Sequence, residues 1–146
     1  MAHGSSVRII YDQSFTGGRV MALITNIGAT DLTATTGLID ASILNNAATD
    51  PRLSVEKISW NTKTASGYFS VIFDGGTDAT AFSLSGNGAW GKSHTAGLDA
   101  AITNNATSPT GDIAITTTNF AADDTVSIVL ILKKESGFGS RTDYSG

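Results

Sequence analysis

Two histidines, thirteen carboxylates, sixteen serines and no cysteine bound the chemistry this chain can perform. Catalysis needs a nucleophile, a base or a ligand set within mutual reach. His3 lies in a Gly- and Ser-rich start and His94 in a Gly, Lys and Ser loop, neither with a Glu or Cys at ligand spacing, so both read as solvated loop residues. No Gly-x-Ser-x-Gly turn activates a serine, and the only glutamates are Glu56 and Glu135. Asp74-Gly75-Gly76-Thr77-Asp78 resembles one copy of a Gly-Gly-x-Gly-x-Asp calcium turn but lacks its third glycine. Asp123-Asp124 would complete such a site only if the loops converged, so an ordinary hairpin turn is the expectation. Phosphate loops, dinucleotide fingerprints and zinc spacings are absent. The chain is therefore expected to be no enzyme, with no catalytic residue, no cofactor and no metal.

The aromatic residues suggest contact rather than reaction. Trp60 ends an apolar run and reads as a core residue, whereas Trp90, between Gly88 and Gly91, reads as an exposed loop aromatic open to a partner or a sugar ring. Phe138 and Tyr144, with Arg141 between them, are the anchors of a Gly- and Ser-rich end too sparse to offset its own ordering entropy. Trp90, Phe138, Arg141 and Tyr144 are thus the candidate partner contacts.

These residues need a scaffold, and composition constrains it. The chain of 146 residues carries 15% charged residues and a net charge of −4, while Thr, Ser, Gly and Asn together fill 60 positions. That balance favours strands and turns in one domain with a neutral polar surface. Nine scattered Lys and Arg argue against a surface that tracks phosphates, so no nucleic acid is expected. No apolar run approaches a membrane span and no basic-then-apolar leader opens the chain, so neither membrane nor export is expected. With no cysteine, packing and hydrogen bonds must hold the fold.

The chain also repeats itself. Gly37-Leu38-Ile39-Asp40-Ala41 and Asn45-Asn46-Ala47 return about 60 residues later as Gly97-Leu98-Asp99-Ala100 and Asn104-Asn105-Ala106. The same spacing relates Asp12 to Asp74, Leu23 to Leu84 and Trp60 to Phe120, while residues 127–132 repeat 67–72. Two similar halves, 7–66 and 67–124, are expected, with a closing strand at 125–134, a mobile arm at 1–6 and a flexible tail at 135–146. Alternating apolar positions predict hairpins of 7–11 with 19–25 and of 68–73 with 79–85, and further strands at 53–60, 111–118 and 125–133. Residues 38–44 and 98–103 fit either a strand or a short helix capped by Asp40 or Asp99. The expected fold is all-β: an antiparallel β-sandwich, jelly-roll-like, with Ile10, Val20, Leu23, Ile58, Trp60, Phe69, Val71, Phe73, Phe82, Leu84, Ile113, Ile115, Ile128 and Leu130 inside.

In its cysteine-free, Thr/Ala/Gly/Asn-rich strands, in Thr35-Thr36-Gly37-Leu38-Ile39-Asp40-Ala41 and Asn104-Asn105-Ala106-Thr107-Ser108-Pro109, and in its Gly/Ser-rich ends, the chain resembles small virion structural proteins of tailed bacteriophages, head decoration (cement) type. The resemblance is one of style and transfers no residue role. It implies a protein made in the host cytoplasm that binds the outside of the capsid, with the major capsid protein or another virion protein as partner, as a homo-oligomer, a trimer in the first instance. A neck, tail or fibre module and a carbohydrate-binding β-sandwich module are the alternatives.

Overall fold

In the computed structural model, which describes residues 3–28, 30–91 and 101–139, the described residues form nine strands and one 3₁₀ turn, Ala41–Ile43, with no α-helix. The strands are β1 Val7–Asp12, β2 Arg19–Ile27, β3 Leu38–Ile39, β4 Ala47–Lys63, β5 Tyr68–Thr77, β6 Ala79–Leu84, β7 Asn87–Gly91, β8 Thr107–Thr118 and β9 Thr125–Phe138. A five-stranded sheet has the order β1-β2-β9-β4-β7 and a four-stranded sheet the order β3-β8-β5-β6. β2 pairs with β9, β3 with β8, β4 with β7 and β5 with β6, every pair antiparallel. The chain is in effect one long hairpin, β2 to β5 against β6 to β9, rolled into two layers. That is a jelly roll, with β1 added at one edge.

The inner faces follow the period of two. Val20, Ala22 and Ile24 of β2, Ile128, Leu130 and Leu132 of β9, Phe69, Val71 and Phe73 of β5, and Ile113 and Ile115 of β8 are completely buried. Burying each large apolar side chain contributes about 1.5 to 3 kcal/mol. β9 supplies the centre of the five-stranded sheet, but its outward residues Val129 and Ile131 are half-buried rather than enclosed. No described helix is long and apolar enough to cross a membrane.

Several expectations need correction. Ile10 is 45% exposed because a bulge between Ile9 and Tyr11 leaves it outside the register, and Leu23 points outward because Val20, Ala22 and Ile24 take the inward phase. β7 was expected to be a loop; it is a strand on the free side of β4. Residues 38–44 combine both alternatives, a two-residue strand followed by the 3₁₀ turn, whose start Asp40 caps by accepting from the Ser42 N–H. Residues 3–6 do not stand apart as an arm, since Gly4 N donates to Leu38 O at 2.8 Å and Ser6 N to Thr36 O at 3.1 Å. Met1 and Ala2 lie outside the described residues. The expected tail at 135 is still β9, which continues to Phe138 through Gly137 at φ +79°.

Strand for strand, β1 and β5 are not equivalent. β1 is an edge strand with one neighbour, whereas β5 lies between β6 and β8. The strand flanked in the same way in the other sheet is β9, between β2 and β4. Leu23 faces Val129 across β2 and β9, and Leu84 faces Phe69 across β6 and β5, but Val129 is outward and Phe69 fully buried, so the spacing does not match inward with inward positions there either. Asp12 and Asp74 therefore occupy unlike positions. Phe120 lies beyond the end of β8, so it does not hold the place there that Trp60 holds within β4.

Candidate functional site

The two contact candidates among the described residues, Trp90 and Phe138, are turned inward. Trp90 lies on β7 opposite Ile58, half-buried, its ring edge-on to Phe82 with centroids 5.3 Å apart. Trp60 is half-buried too, edge-on to Phe69 at 6.4 Å, with Nε1 donating to Ser85 O at 3.0 Å. Its ring covers Gly88, where any Cβ would lie 2.6 Å from the indole. Both indoles pack against the core between the sheets. Phe138 is 8% exposed and belongs to the core cluster, so it is not a partner contact. Arg141, Tyr144 and His94 lie outside the described residues.

His3 is not a solvated histidine. Its Nδ1 accepts from the backbone N–H of Asp40 at 3.0 Å, and burial holds its pKa below the ordinary imidazole value against the opposing charges of Asp40 and Asp12. Asp78 accepts from Gly75 N at 3.0 Å and Asp74 from the Thr110 hydroxyl at 2.7 Å, the usual work of carboxylates in a hairpin. Asp124 accepts from Ala121 N and the Thr64 hydroxyl at the opposite end of the sandwich. These bonds, the backbone one first, hold its pKa below the ordinary carboxylate value. The two aspartate loops do not converge.

The most constrained ionic group is one that the sequence reading passed over. Lys134 is fully buried, on the inward phase of β9 beyond Leu132. Its ammonium meets Asp12 Oδ1 at 2.5 Å, donates to Asn45 O at 2.8 Å and to Gln13 O, and lies 4.8 Å from the centre of the Phe138 ring. Asp12 Oδ2 in turn accepts from Asn45 N at 2.7 Å, and Asn45 Nδ2 donates to Asp12 O at 2.9 Å. Two backbone carbonyls accept from the ammonium, and Asp12 balances its charge. The group acts as a clasp binding the β1–β2 loop, the loop before β4 and the end of β9. Period-two alternation was the available signal: of Lys133 and Lys134, one had to face inward with a partner.

A cleft of about 390 Å³ opens beside this clasp, lined by Arg52, Leu53, Thr103, Asn104 and Glu135. Glu135 already accepts from the Ser54 hydroxyl at 2.6 Å, and Arg52 donates to Pro51 O at 3.0 Å. The broader surface is the outer face of the five-stranded sheet, where the ladder sets side chains in rows. Tyr11, Met21, Ile131 and Lys57 form one row and Arg8, Leu23, Val129 and Ser59 the next, with Arg19 beside Lys133 at the end. Cations far apart in sequence are thus gathered around an apolar centre. Arg19 Nε contacts Glu56 at 2.5 Å and Lys133 is 3.9 Å from Glu135, so two carboxylates relieve the like-charged pair.

No family model, curated protein or solved structure gives a significant match to this chain.

Proposed function

We propose that this chain is a structural component of a phage particle, a jelly roll of head decoration type that binds the outer shell and stiffens it, acting through its surfaces rather than through a reaction. The observation that carries this reading is how its ionisable groups are used. The Lys134–Asp12 clasp, the His3–Asp40 bond and the Arg19–Glu56 pair all tie one strand or loop to another. Such a body is stapled and weakly charged, and its working parts are two sheet faces. The fold agrees by analogy, since jelly rolls recur in viral capsid domains, although they also serve as lectins and cupins. A trimer bound to the major shell protein is the assembly this reading favours. Quantitative mass spectrometry of purified particles tests it. Many copies in fixed ratio to the major shell protein, with shells lacking the chain rupturing at lower temperature, is the expected result. A few copies at one site would assign the chain to the neck, tail or fibres, and its absence from particles would sink the reading.

A further inference from the structure

We infer that this chain associates head to tail with further copies of itself, the outer face of the five-stranded sheet in one copy receiving the acidic end of the next. Single outward apolar residues are ordinary on a sheet. On this face Met21, Leu23, Val129 and Ile131 adjoin in two rows, with Arg8 and Lys57 at their ends. A contiguous apolar patch rimmed mainly by cations, with Glu56 and Glu135 paired to Arg19 and Lys133, is the form of a contact surface.

The charge selects the occupant. Two such faces packed symmetrically would oppose cation to cation, so a two-fold contact is disfavoured and the partner surface must be acidic. The chain carries one. Where β5 turns into β6 and the start of β4 lies against β8, Asp50 and Asp78 are exposed and Asp74 and Asp112 half-exposed, with Arg52 the one cation among them. Burial first, with smaller contributions from the charges of Asp40 and Asp74, raises the pKa of Asp112 against the Ala41 N–H bond. Asp112 Oδ1 anchors the 3₁₀ turn through that bond at 2.9 Å, and the turn offers Ile43, 42% exposed, as an apolar counterpart. Because the two surfaces differ, the contact is heterologous; it closes into a ring or runs on as a filament, depending on the rotation between copies. The inference needs only this chain and does not rest on the shell-binding reading.

Sedimentation velocity of the purified chain tests it, at low and high salt across a range of concentrations. Oligomers that dissociate as salt rises are expected. A face-reversed variant, Arg8→Glu with Lys57→Glu, and an end-reversed variant, Asp50→Lys with Asp78→Lys, should each weaken self-association about tenfold or more. An equimolar mixture of the two should associate again, since each retains the surface the other has lost. Thermal melts check that both variants fold; if the end-reversed chain does not, Asp50→Asn with Asp78→Asn replaces it and should still weaken association. A monomer at every concentration, an oligomer indifferent to salt and to both variants, or a face-reversed chain that self-associates normally yet no longer binds particles would each overturn the inference. Normal self-association by a chain absent from particles removes the shell-binding reading and leaves this one standing.

Discussion

Lys134 shows how a single residue can link three segments that the sequence keeps far apart. Removing one member of a buried ion pair strands the other, at a cost of about 3 to 5 kcal/mol, whereas replacing both with apolar groups is often close to neutral. Lys134→Ala is therefore expected to lower stability by about that amount, and Lys134→Met with Asp12→Leu by clearly less, as read by urea denaturation. The tryptophans come next. Each packs edge-on against a phenylalanine between the sheets, so Trp60→Ala and Trp90→Ala should both be costly, about 2 to 4 kcal/mol after discounting for partial exposure. At this scale the sequence was legible wherever apolar residues alternated cleanly, as in Phe69, Val71 and Phe73 or Ile113 and Ile115. It misled where both phases are apolar, as at Leu23, or where a bulge resets the phase, as at Ile10. Trp90 looked exposed because Gly88 and Gly91 resemble a loop; Gly88 is there because the Trp60 ring leaves no room for a side chain.

Elements carry two further predictions. The segment before β1 is held in part by a neutral imidazole accepting from Asp40 N. Since burial lowers the folded pKa of His3, the unfolded chain takes up a proton at a pH where the folded chain resists it. That contribution is complete above the ordinary imidazole value and is lost as pH falls from there towards the lowered folded value. Amide exchange at Gly4 and Asp40 should accelerate across this window, and His3→Leu should abolish the pH dependence. At the other end, deleting residues 136–146 removes Phe138 and the last pairs of β9 with β4, so it should lower the melting temperature steeply. The hairpins of β1 with β2 and of β5 with β6 could be read from alternation and glycine punctuation. The end of β9 could not, because Glu135-Ser136-Gly137 has the composition of a loop and is kept in the sheet by partners on β4 and by the clasp.

For the whole molecule, the two-layer architecture followed from composition and strand spacing, but the distribution of charge did not. Arg8, Arg19, Lys57, Lys63 and Lys133 look scattered along the chain, and only cross-strand register brings them to one face. The same register places β9 between β2 and β4, at the middle of the larger sheet. On the ribosome, where chains grow from the amino end, β9 is the last of these strands to emerge. Until it does, β2 and β4 each present an unpaired edge to solvent, and Val20, Ile24 and Ile58 lack the wall formed by Ile128, Leu130 and Leu132. Nascent chains stalled before residue 125 should thus be cut by protease throughout, while chains extended far enough to free residue 138 should become resistant in one step. A message truncated upstream of β9 would yield product for degradation rather than a half-folded chain that persists.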